Sequence, residues 1–334
     1  MKKVLSFLLV ISVFSCGENT KKDFQRIEGL AFGTSFHITM DAGEKQINEV
    51  AIDSLINAFN KSLSTYIPNS DISKLNRGDT NVQVDLYFKE VFEKSFLIFE
   101  ETNGAFDPTI GTLVNAWGFG PGDQLNKMEP STVDSLLVYV GFDKLELKDR
   151  ELIKMYPETY LDFNAIAKGF AVDVIGRYLE SKKVLNYLVE IGGEIRARGK
   201  SSKEQPWKIG IEEPNFDGTR SFQTIINLDN ESIATSGNYR KFKIDSLSGE
   251  KYAHTIDTKT GYPSKSNLLS ASVIAKLDCA DVDAYATAFM AMGFEESKAF
   301  LSKRKELKAF LIYAGENGEL LTFTTDNLDL LPKN

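Results

Sequence analysis

The chain has 334 residues, 42% of them hydrophobic, with 39 basic against 47 acidic side chains and a formal charge of −8. That length can bury a sizeable core as one large unit or as two intertwined lobes. The acidic balance argues against nucleic acid as a partner.

The N-terminus reads Met1-Lys2-Lys3, an apolar run from Val4 to Phe14, then Ser15-Cys16-Gly17. A basic head, a short apolar stretch and a small residue describe a secretory signal, too short to span a bilayer. Val13-Phe14-Ser15-Cys16 resembles the bacterial lipoprotein box, although an ordinary signal peptide with an incidental cysteine would read similarly. The expectation is a signal peptide over 1–15, a lipidated Cys16 opening a polar tether over 16–26, and a single domain over 27–334. Losing two lysines with the signal moves the charge from −8 to −10. Cys279 would then be the only other cysteine, so no intramolecular disulfide is expected and the exported domain must rely on its core.

Ile47, Ala51, Leu55, Phe59 and Leu63 recur every four residues, with Ile52 and Ile56 widening the stripe, which predicts an amphipathic helix. A second helix is expected over 86–102, ended by Asn103-Gly104. A third begins at Pro130-Ser131 and runs to Val140 before Gly141, and a fourth runs from about Ala165 to Lys182. From Leu185 to Ile244 the pattern changes to short β-branched or alternating runs at 185–191, 207–211, 222–228 and 239–244. A strand over 270–275 leads into a helix carrying Asp283, then a helix over 294–305 and a hairpin around Glu316-Asn317-Gly318. Helices before and after a run of strands make the chain α+β rather than a doubly wound sheet. No Gly-x-Gly-x-x-Gly, Walker-type loop, Gly-x-Ser-x-Gly or His-Glu-x-x-His is present, so the common nucleotide-binding and hydrolase motifs are not indicated.

Asp283 and Thr287 stand four apart, so a helix points their oxygens the same way. A carboxylate and a hydroxyl make half of a hard-cation site of the kind Mg²⁺ occupies beside phosphate. An acid in a helix's first turn is ordinarily a dipole partner, so Asp281, some 200° round the helix, is assigned that capping role. Asp162-Phe163-Asn164-Ala165-Ile166-Ala167-Lys168-Gly169 lies where strand gives way to helix. There, free N–H groups and Lys168 suit an anion, although Asp162 or Asn164 also suits simple capping. Phe106 and Trp117, in the Gly/Pro-shaped stretches 105–111 and 117–121, offer either faces for a flat ring or core packing. Gly192-Gly193 before Glu194 permits a ligand's close approach or a bulge. His254, one of two histidines, opens the turn-forming run to Gly261 and Pro263 and suits a general base.

The order of these segments decides between the readings. Gly33-Thr34, Ser64-Thr65-Tyr66, 105–111 with Trp117 to Gly120, 162–169, Gly192-Gly193-Glu194, Ala234-Thr235-Ser236-Gly237, 254–263 and 280–288 form one series. That series resembles the ApbE family, the bacterial FAD:protein FMN transferases, over nearly the whole chain after the tether. The resemblance implies a two-lobed, T-fold-like α+β domain with mixed antiparallel sheets and flanking helices, binding FAD between the lobes. It implies Mg²⁺-dependent transfer of FMN from FAD to a Thr or Ser hydroxyl of a target protein, with AMP leaving. Flavin-bearing subunits of Rnf-type or sodium-pumping NADH:quinone reductase complexes are the implied acceptors, reached from a lipid anchor on the envelope side of a membrane.

Position by position, the resemblance assigns metal ligands to the Ala165 carbonyl and the Asp283 and Thr287 side chains. It assigns FAD contacts to Phe32, Tyr66, Ala105, Phe106, Asp107, Asp162, Lys168 and Ile256, and the catalytic role to His254. Phe32 stands where the family often has Met, Asn164 where Ser or Gly is frequent, and Asp257-Thr258-Lys259 where Asp-Pro-Arg is typical. Two further readings stay open. The same site could hydrolyse FAD to FMN and AMP, or the chain could be a non-catalytic, lipid-anchored FAD carrier.

Overall fold

The computed structural model describes residues 24–43, 47–213, 221–238, 242–244 and 251–332. The expected signal peptide, Cys16, most of the tether and part of the strand expected over 239–244 lie outside the described residues.

A hairpin opens the domain: β1 (Gln25–Ala31) pairs antiparallel with β2 (Thr34–Met40). β1 starts at Gln25, so the last two residues read as tether belong to the sheet, and Phe24 packs edge-on against Trp207. Helices α1 (Glu49–Leu63), α2 (Asp71–Asn76), α3 (Leu86–Glu101), α4 (Gly111–Ala116) and α5 (Pro130–Leu137) follow. The small hairpin β3 (Leu145–Lys148) and β4 (Glu151–Lys154) then leads to α6 (Asn164–Ser181). Next come β5 (Tyr187–Ile191), β6 (Glu194–Arg198), β7 (Trp207–Glu212), β8 (Phe222–Leu228), β9 (Ser232–Gly237), β10 (Phe242–Ile244) and β11 (Lys251–Ala253). β12 (Leu268–Ala275), α7 (Cys279–Met292), α8 (Phe294–Lys303), β13 (Lys308–Ala314), β14 (Leu320–Thr324) and β15 (Leu330–Leu331) complete the described chain.

The helices begin where the sequence supplies acceptors. Asn48 takes the Ala51 N–H at 3.0 Å and Asp85 takes the Phe88 N–H at 2.9 Å, satisfying first-turn donors. In α1 the buried stripe is Ile52, Ile56, Phe59 and Leu63, with Ala51 and Leu55 on its margin. α5 stops at Leu137 rather than Val140, because the Lys144 ammonium takes the carbonyls of Val138 and Val140 and a tightened turn follows. The first strand after α6 begins at Tyr187 rather than Leu185, which is exposed.

The main sheet runs β1-β2-β5-β6-β9-β12-β13-β14. It divides into two four-stranded halves, joined by the pairs Ile195/Ile233 and Arg196/Ser232 between β6 and β9. α6 packs on β5 and β6 of the first half, and α7 on β9 and β12 of the second. The two helices also pack on each other, with α1 and α3 outside them. α6 is therefore covered on nearly every side and apolar almost all round. The sheet's other face is closed by the antiparallel sheet β15-β8-β7, trapping Ile195, Trp207, Ile226, Ile274 and Phe310. The fold is α+β, and the junction between its two halves runs along the contact of α6 and α7.

Candidate functional site

Gly169 lets that contact close. A Cβ at this position would lie 2.4 Å from the Cys279 carbonyl oxygen and 2.8 Å from the Ala280 nitrogen. With no side chain in the way, the Gly169 N–H donates to Asp283 Oδ2 at 3.0 Å. In a regular helix the same N–H points at the carbonyl of Ala165, four residues back. The Asp283 carboxylate and the Ala165 carbonyl therefore flank one amide, on opposite helices. One turn beyond Asp283, Thr287 Oγ1 lies 3.1 Å from the hydroxyl of Ser236, the penultimate residue of β9.

These oxygens fit a hard cation. The set is one buried carboxylate, one hydroxyl and one backbone carbonyl, and it leaves most coordination positions for water or phosphate. Among the described residues no group of three His, Cys, Asp or Glu side chains gathers as a softer metal would need.

Lys168 adjoins this set, as does Glu194, the first residue of β6, which is 2% exposed. The Lys168 ammonium bonds Glu194 Oε1, while among the described residues Glu194 Oε2 has no hydrogen-bond partner. Burial opposes the charge on Lys168, but Glu194 and Asp283 outweigh it and hold its pKa above the usual value. Burial, reinforced by Asp283, raises Glu194 against the pull of Lys168. Burial also raises Asp283. Two carboxyl groups act on one ammonium here.

Hydrogen bonds bring the remaining motifs to the same end of the molecule. Thr255, next to His254, donates to Asn238 Oδ1 at 2.9 Å, two residues past Ser236, so the histidine run and the Thr287 hydroxyl meet at the end of β9. Thr258 Oγ1 donates to the Gly104 carbonyl at 2.6 Å, and Trp117 Nε1 to the Gly261 carbonyl at 2.9 Å. The Asp162 N–H donates to the Pro108 carbonyl at 2.8 Å, and Asn164 Nδ2 to Thr65 Oγ1 at 3.3 Å. Burial, then the nearby Asp162 carboxyl, push the Tyr66 hydroxyl's pKa up. The loops holding residues 64–66, 104–109, 162–164 and 254–261 thus form one continuous rim.

The side chains on that rim differ in what they can offer. Tyr66 is 63% exposed, and Asp162 is half-buried with one oxygen on the Asn164 N–H at 2.7 Å. Phe32 turns the β1–β2 hairpin with φ 54°, followed by Gly33 at 74°, and its ring packs on Phe59 at 4.8 Å. Phe106 lies in the main core at 2% exposure, so its ring presents no face to a ligand and only its backbone can reach one. Ala105 is buried too, and Asp107 spends Oδ1 on the N–H and hydroxyl of Thr109. Ile256 packs among Leu113, Val133 and Val140. Asp281 receives Lys94 at 2.9 Å and also takes the backbone N–H of Asp278, the residue that opens α7. Asp173 of α6 takes the Cys279 and Ala280 N–H groups at 2.9 and 2.8 Å.

Asp173 and its partner Arg196, 2.8 Å away, have no signal in the sequence, because their pairing depends on how two helices and a strand meet. Glu194 and Ser236 sat inside noted Gly-containing runs, but nothing there marked the side chains themselves.

A profile of the ApbE family matches residues 32–311. The FAD:protein FMN transferase of Haemophilus influenzae is 34% identical over 337 residues, covering 95% of each chain. The flavin transferase ApbE structure from Vibrio cholerae superposes with a TM-score of 0.80 at 31% identity, over 91% of this chain and 97% of that one. The Pseudomonas stutzeri flavinyl transferase ApbE structure gives 0.80 at 28% identity, over 91% and 95%.

Proposed function

The chain belongs to the ApbE family, and from that premise we propose that it is a flavin transferase that moves FMN from FAD to a Thr or Ser hydroxyl of a target protein and releases AMP. The observation that carries this reading is the convergence of Asp283, Thr287, Lys168 and the His254 run on the end of the α6–α7 seam and β9.

In this reading FAD is the substrate, with Tyr66, Asp162 and the 105–107 backbone on the rim that receives it. Asp283, Thr287 and the Ala165 carbonyl would hold Mg²⁺, which supplies charge neutralisation and a template for the pyrophosphate oxygens. Lys168, beside Asp283, would add positive charge for the pyrophosphate. His254 accepts the proton of the acceptor hydroxyl as its oxygen bonds the FMN phosphorus. The bond from that phosphorus to the AMP phosphate breaks, and AMP carries the leaving oxygen away. Such a transfer depends on in-line placement and charge neutralisation more than on a protein nucleophile.

The acceptors proposed are flavin-bearing subunits of Rnf-type or sodium-pumping NADH:quinone reductase complexes. A lipid on Cys16 would anchor the enzyme to an envelope membrane, facing the periplasm or the exterior. Mass spectrometry tests the reading: an acceptor domain incubated with the protein, FAD and Mg²⁺ should gain one FMN on a single Thr or Ser, with one AMP per FMN. An unmodified acceptor beside intact FAD would refute it.

A further inference from the structure

Resting on that reading of the cation site, we propose that Glu194 is a positioning residue: by holding the Lys168 ammonium, it keeps the Asp283 carboxylate open to the cation. Two carboxylates compete for one ammonium at the head of the α6–α7 seam. Glu194 wins it, through a direct bond from Lys168 Nζ to Oε1. Asp283 acts on the same ammonium only through space, and among the described residues its one hydrogen bond comes from the Gly169 amide.

Glu194 reaches this position because the Gly192-Gly193 turn, with φ of 60° and 108°, brings the start of β6 against α6. A Cβ at Gly192 would lie 2.7 Å from Thr34, so the turn is packed tightly as well as bent. Burying a carboxylate with half its acceptor capacity unused is a poor way to gain stability, since an apolar side chain would avoid the desolvation. Its presence at this place has a reason if the ammonium must be kept off Asp283. Without Glu194, the carboxylate left acting on Lys168 is Asp283, and an ammonium seated there competes with a divalent cation for the same oxygens.

The test is Mn²⁺ binding to the purified full chain without FAD, by titration calorimetry. Glu194→Gln, which keeps the shape and removes the charge, should weaken Mn²⁺ binding by about 10–100-fold, as loss of a residue that supports a metal ligand does. Adding Lys168→Met to Glu194→Gln removes the competing ammonium and should return affinity to within about three-fold of the parent. A residue with a merely structural role would not be rescued by deleting its partner. Parental affinity in Glu194→Gln, or no recovery in the double variant, would overturn the proposal. If Glu194→Gln alone does not fold, the double variant decides, since it leaves neither charge buried alone. There, near-parental affinity supports the proposal and a ten-fold loss overturns it. Asp283→Ala binding Mn²⁺ as well as the parent would instead remove the cation site itself, and the inference with it.

Discussion

The amide of Gly169 in α6 donates to Asp283 Oδ2 in α7 at 3.0 Å, and a methyl group at Gly169 would meet the Cys279 carbonyl at 2.4 Å. Helix spacing and carboxylate position are set by the same residue. Gly169→Ala should force the helices apart, at a cost of about 1–3 kcal/mol as overpacking typically brings. Flavin transfer should fall with it, because the carboxylate loses the amide that orients it. A thermal melt and a transfer assay on the same preparation check both, and an unchanged melt with full activity would refute the close-approach argument.

Asp283 and Thr287 should contribute unequally. Asp283→Ala removes the charged oxygen and should lower transfer by at least about 100-fold, the scale of several kcal/mol of lost charge stabilisation. Thr287→Val keeps the carboxylate and loses one neutral donor, together with its contact to Ser236. Its deficit should be smaller and should shrink as Mg²⁺ is raised. Rates measured across a Mg²⁺ titration separate the two variants, and equal deficits at every concentration would contradict this ranking.

Arg196 and Asp173 form a buried pair that holds the start of α7. Arg196 also reaches Asp278 at 2.7 Å and Glu180 at 3.1 Å. Arg196→Met leaves Asp173 buried without its cation and should cost about 3–5 kcal/mol. Adding Asp173→Asn should recover part of that loss, although Asn offers one acceptor oxygen to the two N–H groups it must cap. Urea denaturation of the two variants gives the comparison; a double variant no more stable than Arg196→Met would contradict it.

The sequence carried the local signals well. The four-residue stripe from Ile47 to Leu63 announced a helix, and the short runs after Leu185 announced a sheet, because periodicity acts over a few residues. It placed Asp283 and Thr287 on one helix face for the same reason. What it could not show was partnership across the seam. Asp281 looked like a cap because first-turn acids usually are, but it also receives Lys94, and the Cys279 and Ala280 N–H groups go to Asp173, over a hundred residues away in sequence. Phe106 looked as fit for stacking as for packing, and only the assembled core decides that. Glu194 and Arg196 act through contacts between elements, where a single sequence has no periodic signal.

Asp107 gives the apo protein a pH signature. Burial lifts its carboxyl from an ordinary 3.8 to about 6, partly offset by the hydrogen bonds from Thr109. Between those values the folded state binds the extra proton, so this group's contribution makes stability rise as pH falls from about 7 toward 4. Asp107→Asn removes that contribution while keeping an acceptor for the Thr109 N–H. Melting temperatures from pH 5 to pH 8 should therefore fall less for Asp107→Asn than for the parent. Parallel curves would show that Asp107 titrates as an ordinary surface acid.

Covalent joining of a flavin to another protein through the site at Asp283 and His254 has one direct test. The direct measurement is a denaturing gel of a flavin-acceptor domain incubated with the protein, FAD and Mg²⁺, viewed by flavin fluorescence. A fluorescent acceptor band that disappears with EDTA, with Asp283→Ala and with His254→Ala is the predicted result. Free FMN and AMP with no band, or a band that persists in all three controls, would contradict it.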